Sequence, residues 1–467
     1  MLVLTVAATA AACGGEPGRP FSDGPNIVLV SVDTLRADRL SLYGHQRPTT
    51  PFLERLASSA VVFDAFHYNG GGTLPSHMTM LTGLHPATHQ ISPHTGRILE
   101  PERVTLAEAL RNQGFRTAAF VDGGWMGGQF GFTQGFDVYD DQGGRLAAIL
   151  PKARRWLDRH HHDRFFLFLH TYDVHSQKNR LPYECPDDLH LRFAPSARLE
   201  FDGCRGGRCA SELLIWINEG VRAGRGLVED VLSDNEVELM RDLYDGCVAY
   251  VDRELETLVA HLAELGVLDN TVLVITSDHG EEFADHGMVL HDQTGYQEVA
   301  RLPLVIRFPD AAHAGLRVPH LAAMVDLMPT LLDILGVPIL DQVQGRSMLG
   351  MVTENKTARD DLHMYASIRS GSWNYHSDRR ELYNLQDDPL EQDNLYDRRP
   401  AVVEELERRV RSLLREDRRR YEAFKSLVAT AAGEVVLDEA KIRDLRSLGY
   451  VINGGLAKKI SPNLRIP

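Results

Sequence analysis

An α/β fold is predicted for this 467-residue chain: a large, mostly parallel sheet sandwiched by helices, with a smaller C-terminal α+β subdomain. Three observations predict it. The runs Asn26–Val32, Phe165–Leu169 and Thr271–Thr276 are continuously apolar and β-branched or aromatic, as expected of strands buried on both faces. Helical segments alternate with these runs, which is how a parallel sheet is covered. Beyond about residue 355 the apolar runs shorten and the charge density rises, marking a second unit.

The elements follow in order. Residues 1–13 are a short apolar run that ends in small residues before Cys13. They resemble the end of a lipoprotein signal cleaved before Cys13, although no Lys or Arg precedes that cysteine. Residues 14–25 are a linker rich in Gly and Pro, and 26–355 are expected to form one catalytic domain. Within it, Thr50–Ala60 reads as a helix with Pro51 in its first turn, and Val61–His67 as a strand. Three glycines, Gly70–Gly72, then lead into a helix that opens near Thr73 and is closed by Gly83 and Pro86. Val104–Gln113 is a helix stopped by Gly114, Phe115–Val121 a strand, and Arg145–Arg159 a helix. Residues 176–230 break the rhythm and read as a surface insertion. Asn235–Leu265 is a long amphipathic helix, Leu302–Phe308 a strand, and His320–Leu335 a helix despite Pro329. The C-terminal subdomain, 356–467, holds a strand at Glu381–Leu385, a turn at Asp388–Leu395 and a charged helix from Pro400 to Phe424.

Lys plus Arg number 50 and Asp plus Glu 65, a net charge of −15 with no basic block. That balance excludes nucleic acid and anionic membrane surfaces as partners, and leaves a lipid on Cys13 as the sole membrane attachment. The chain is expected to be exported, as a periplasmic or cell-surface lipoprotein. Without Cys13, four cysteines remain: Cys185, Cys204, Cys209 and Cys247. An even number in an exported protein suggests two disulfides, with Cys204 and Cys209 near enough to close a small loop.

Chemistry gathers where strands end. Asp33, Asp173 with His175, and Asp278 with His279 all follow strands, at the edge where open α/β sheets bind ligands. Thr73 stands where a loop becomes a helix N-terminus, which favours an anion. Two carboxylates, an imidazole and an alkoxide from Asp33, Asp278, His279 and Thr73 suit a divalent ion, Zn²⁺ or Mn²⁺ before Ca²⁺ or Mg²⁺. Such an ion would activate the Thr73 hydroxyl as nucleophile toward a phosphate or sulfate ester. His175 and His291 are candidates to touch the substrate, protonate the leaving group or hold a second ion. His77, one turn after Thr73, could donate to its oxygen or to the anion. Asp173 and His286 are candidates to position the ester. The triplet His160–His162 reads as a solvated helix end.

These residues lie in segments that resemble the sulfatase family of the alkaline phosphatase superfamily. The segments are Asn26–Asp33, Thr73–Gly83, Asp173-Val-His175, Thr276–Glu281, Glu298–Leu304 and the tail Glu381–Leu395. The resemblance covers most of the chain and implies the alkaline phosphatase/sulfatase-like fold. The departures bear on function. Family sulfatases carry Cys or Ser, oxidised to formylglycine, where this chain has Thr73, and Arg where it has His77. Threonine cannot yield the aldehyde because its β-carbon bears a methyl, so no formylglycine is expected. The second Asp of the usual pair is Thr34, the usual Asn after the metal Asp is His279, and the usual Gly-Lys-Trp-His segment is absent. The lysine usually found after the metal loop is replaced by the His291 region.

The reading is a metal-dependent hydrolase or transferase of phosphate mono- or diesters acting through Thr73, on an anionic small molecule, glycan or lipid. The alternatives are a sulfuric ester hydrolase at the same site and a catalytically silent binding module.

Overall fold

A computed structural model describes residues 24–177, 181–186, 189–194, 204–205, 207–291, 294–364 and 367–427, with positions 437, 442, 443 and 445. The signal, Cys13 and most of the linker lie outside the described residues. The expected apolar runs form strands. These are β1 (Asn26–Val32), β2 (Val61–His67), β3 (Arg116–Phe120), β4 (Val138–Asp140), β5 (Phe165–Thr171), β6 (Thr271–Thr276) and β7 (Arg301–Arg307). With two short strands at 317–318 and 322–323 they make a nine-stranded sheet whose centre runs β2-β7-β6-β1-β5-β3-β4. It is mostly parallel, but β7 is antiparallel to both β2 and β6.

The continuous hydrophobicity of β1 follows from burial on both faces. All seven of its residues are buried. Ile27 and Leu29 enter one core cluster while Val28, Val30 and Val32 enter the other. The helices that cover the sheet include α1 (Pro51–Ala57), α2 (Thr73–Thr82), α3 (Leu106–Asn112), α4 (Arg145–His160), α5 (Ala210–Arg222), α6 (Asp234–Glu264) and α7 (Leu327–Ile334). The start of α6 is set by Ser233 and Glu236, which form a reciprocal capping box. Helix α2 is buried along its whole length, so it lies inside the molecule and not on its skin.

Two expectations are corrected. The helix expected over His320–Leu335 is a short strand at Ala322–Ala323, a 3₁₀ turn at Met324–Asp326 and then α7. The Asp326 carboxylate accepts from Ala323 N–H at 3.0 Å and sets this entry, placing Pro329 in the first turn of α7, where no N–H is needed. Of the two expected disulfides, Cys204–Cys209 is present, whereas Cys185 and Cys247 are buried and not disulfide-bonded.

The C-terminal region builds an antiparallel sheet of four strands, β8 (Asp361–Met364), β9 (Ser367–Ser370), β10 (Trp373–His376) and β11 (Glu381–Asn384). Helix α8 (Pro400–Leu427) packs on it through Val403, Leu406 and Val410. Only β11 is legible as a strand in the sequence, because β8–β10 are four residues each and mix polar with apolar side chains. No described helix is long and apolar enough to cross a membrane.

Candidate active site

Parallel pairing of β1 with β6 places Ser31 opposite Thr276, so the residues just beyond both strands emerge at one edge. Asp33, Asp278 and His279 meet there, each offering a ligand atom within 4.8 Å of the others, and all three are buried. Thr73 is brought to them by α2. Its entry residue Gly72 has φ 76° and ψ −171°, a conformation essentially restricted to glycine. Thr73 Oγ1 then lies 3.4 Å from His279 Nε2. The structure thus unites the four residues Asp33, Thr73, Asp278 and His279.

Hydrogen bonds fix their orientation. The Asp278 Oδ1 atom accepts from Thr34 N–H at 3.2 Å and His279 N–H at 2.9 Å. The His279 Nδ1 proton is donated to the Gly280 carbonyl at 3.0 Å, which turns Nε2 toward the carboxylates. Gly280 is required because a Cβ there would meet the Glu298 carbonyl oxygen at 1.8 Å. Thr34 has φ 58°, a strained value for a β-branched residue. The bond from its N–H to Asp278, and the Tyr244 hydroxyl donating to its carbonyl at 2.7 Å, hold it there.

The electrostatics favour a cation. Asp33 Oδ1 and Asp278 Oδ2 are buried without a hydrogen-bond partner. Burial, then the neighbouring Asp278, push the Asp33 carboxyl well above the usual range. Burial also opposes the charge on Asp278, but His279 beside it outweighs that and holds it well below the usual range. Two buried carboxylates this close cannot both ionise without a positive partner.

The other candidates divide. His175 and His291 join the cluster: their rings are 4.8 Å apart, and His291 is 4.6 Å from His279. His77 reaches the site but not in the expected role. Its Nδ1 proton is donated to the Thr73 carbonyl at 2.8 Å and its Nε2 accepts from Ser31 Oγ at 2.8 Å. Both nitrogens are therefore occupied, and burial lowers its pKa to about 3, so it is a neutral brace for α2 and not an anion donor. Asp173 turns away from the expected ester contact: its Oδ2 accepts from Leu146 N–H at 2.8 Å and Thr171 Oγ1 at 2.6 Å, holding the start of α4. His286 also departs, bonding Glu298 Oε1 at 2.5 Å and the Glu391 carbonyl at 3.1 Å, with its ring stacked on Tyr296.

Two residues were missed in the sequence. His170, opposite Ser31 on β5, places Nε2 3.2 Å from Asp33 Oδ2. Glu281 is fully buried, lies 3.4 Å from His291 Nδ1, and is pushed up to about 8 by burial. The signal for both was adjacency: one follows the β5 apolar run, the other follows His279 and Gly280.

His286 gives a pH prediction. Burial opposes its charge, yet the bond to Glu298 prevails and raises it to about 9. A raised folded-state pKa means that the contribution is complete below about pH 6.5, the ordinary value, and is lost as pH rises through 9. The melting-temperature gap between wild type and His286→Gln is expected to be largest near pH 6 and to close by pH 10. Melting curves across that range check it.

The chain matches known families and proteins along most of its length. The sulfatase family model matches residues 25–337, and the model of the N-sulphoglucosamine sulphohydrolase C-terminal region matches 285–419. Arylsulfatase K of Rattus norvegicus is 23% identical, covering 84% of this chain and 78% of that protein. N-acetylglucosamine-6-O-sulfatase of Bacteroides thetaiotaomicron is 24% identical, covering 90% of this chain and 91% of that one. In structure, the phosphonate monoester hydrolase of Agrobacterium radiobacter superposes with a TM-score of 0.67 at 21% identity, covering 84% of this chain and 96% of that one.

Proposed function

This chain belongs to the sulfatase family and is an ester hydrolase, and we propose that it cleaves phosphate mono- or diesters with Thr73 as nucleophile. The observation that carries the reading is Thr73 itself. It stands beside Asp33, Asp278 and His279, where the resemblance places a formylglycine precursor, and its β-methyl forbids the aldehyde.

The donor set fits a divalent ion: two orphaned buried carboxylate oxygens, an imidazole nitrogen oriented by its own backbone bond, and the Thr73 oxygen. Asp33, Asp278, His279 and Thr73 would hold it, with Zn²⁺ or Mn²⁺ favoured by the imidazole. Bound there, it supplies charge neutralisation at the ester and a lowered pKa at the threonine hydroxyl.

The chain's own residues do the rest. The helix start and its Gly72 entry hold Thr73 at a fixed angle, so its oxygen attacks phosphorus in line with the departing alcohol. The P–O bond to the leaving group breaks as the Thr73 Oγ1–P bond forms, and the hydroxyl proton passes to the ionised carboxylate of the Asp33–Asp278 pair beside it. His291, with its ring 4.6 Å from that of His279 and backed by Glu281, is placed to give the leaving oxygen its proton and later to take one from water, while His175, kept neutral by burial, holds its ring against His291. Water attack on phosphorus then opens the threonine ester. A formylglycine sulfatase expels sulfate by collapse to the aldehyde, a route closed to threonine.

A second reading, sulfuric ester hydrolysis at the same site, is favoured by the sulfatases among the relatives. Turnover of p-nitrophenyl phosphate, bis-p-nitrophenyl phosphate and p-nitrophenyl sulfate by metal-depleted protein resupplied with Zn²⁺ or Mn²⁺ separates them. Phosphoester cleavage exceeding sulfate cleavage is expected. Cleavage of the sulfate alone would overturn the phosphoryl reading, and no turnover of any of the three with either ion would favour the silent module.

The remaining proposals follow from the sequence: two units divided near residue 355, and export with lipid attachment through Cys13.

A further inference from the structure

Helix α4 is unlike the rest of this acidic protein. It carries Arg145, Lys152, Arg154, Arg155 and Arg159, with Asp158 as its one carboxylate, in a chain of net charge −15. Its last turns form one wall of a cavity of about 300 Å³. Lys152, Arg155 and Arg159 supply its cationic side, with Asp140 and His160 beside them, and Phe120, Val138 and Trp156 its apolar side. Phe120 and Trp156 are buried, and the apolar side meets solvent through Val138, on the edge strand β4, which is 37% exposed.

The charges here are under-compensated. Lys152 pairs with Asp140 at 2.8 Å. Arg159 instead donates to the Arg155 carbonyl at 3.0 Å, and neither guanidinium has an ion-pair partner among the described residues. Like charges one helical turn apart disfavour the helix, and an oxyanion between them reverses that sign. Residues 152–160 begin about 9 Å along the axis from Leu146, whose N–H bonds Asp173, so the cavity shares no residue with the Asp33–Asp278–His279 cluster.

We propose that this cavity is a binding site for a sulfate or phosphate group carried on a sugar. The guanidinium pair takes the oxyanion in its fixed fork geometry, and the exposed Val138 covers a C–H face of the ring. A polymer with a phosphate at every residue would be repelled by the chain's net charge of −15, which sets a short, sparsely charged ligand apart from nucleic acid. The inference is a statement about binding and stands whether or not Thr73 is the nucleophile.

Calorimetric titration of the full chain at low ionic strength tests it, with four probes: a heparin-derived tetrasaccharide, its desulfated form, inorganic sulfate and inorganic phosphate. Asp33→Asn serves as the active-site control. The sulfated tetrasaccharide is expected to bind wild type and Asp33→Asn alike. Arg155→Glu/Arg159→Glu is expected to weaken it at least tenfold, and the desulfated sugar to bind no better than that variant binds the sulfated one. Both arginines are exposed, and Arg155→Gln/Arg159→Gln, expected to weaken binding less, guards against a folding artefact of charge reversal. Equal binding by wild type and both double variants, or loss in Asp33→Asn alone, would overturn the site. Inorganic sulfate or phosphate binding as tightly as the tetrasaccharide would overturn the sugar component.

Discussion

Thr73→Ala is expected to lower kcat/KM on an aryl phosphate ester by roughly 10⁴-fold, about 5.5 kcal/mol of transition-state stabilisation. Thr73→Ser is expected to stay within about tenfold of wild type, because it keeps the attacking oxygen. The contrast separates nucleophile from scaffold. Thr73 is 3% exposed and begins a helix that is buried throughout, so alanine also removes packing, roughly 1 kcal/mol. That loss lowers the melting temperature without touching the chemical step, so melting curves beside the kinetics keep the two effects apart. A single-turnover experiment adds a direct readout: phosphate from a labelled substrate should remain on wild type and Thr73→Ser after acid quench, and be absent from Thr73→Ala. Full activity in the alanine variant would remove Thr73 as nucleophile and make water the attacking group.

The fold and the centre of the site were legible because both rest on local sequence. An apolar run buried on both faces announces a parallel strand, and the residue after its last apolar position sits at the ligand-binding edge. Asp33 and Asp278 follow from that rule alone. What was not legible depends on pairing across the chain. Asp173 follows a strand just as Asp33 does, but its carboxylate is taken by the N–H of Leu146, on the helix that precedes its own strand. His77 has helical spacing from Thr73 suited to a side-chain contact. Yet its ring bonds the Thr73 backbone and Ser31, since the side chain points back along α2 toward β1. His286 lies within a few residues of His291 in sequence, but the turn at Glu391 from the C-terminal subdomain captures it. In the converse case, His170 reads as one more strand residue, and only its register opposite Ser31 brings it to Asp33. The strands β8–β10 escaped because short amphipathic segments hold together through their neighbours and not through their own composition.

Asp278→Asn is expected to cost stability in metal-depleted protein and to cost more once the metal is present. In metal-depleted protein the substitution is expected to destabilise by roughly 2 kcal/mol at neutral pH, because His279 holds Asp278 ionised and the amide leaves that buried ring without its counter-charge. The amide keeps the existing bonds: its Oδ1 still accepts from Thr34 N–H and His279 N–H. Its Nδ2 replaces the Oδ2 atom that lies 3.3 Å from His279 Nε2 and takes away the negative charge that faces that ring. Excess Zn²⁺ should stabilise wild type by RT ln(1 + [Zn²⁺]/Kd), about 4 kcal/mol at a thousandfold excess over Kd. The variant has lost an anionic ligand and should gain little, so the gap between wild type and variant widens as zinc is added. Activity should fall about 10³-fold at fixed zinc and recover in part at higher concentrations, since one ligand and not the nucleophile is lost. Melting curves with and without zinc, read beside Thr73→Ala, complete the test. An Asp278→Asn protein that binds zinc as wild type does would remove Asp278 from the ligand set. A variant equally destabilised with and without zinc would make Asp278 a structural anchor of the β6 edge alone.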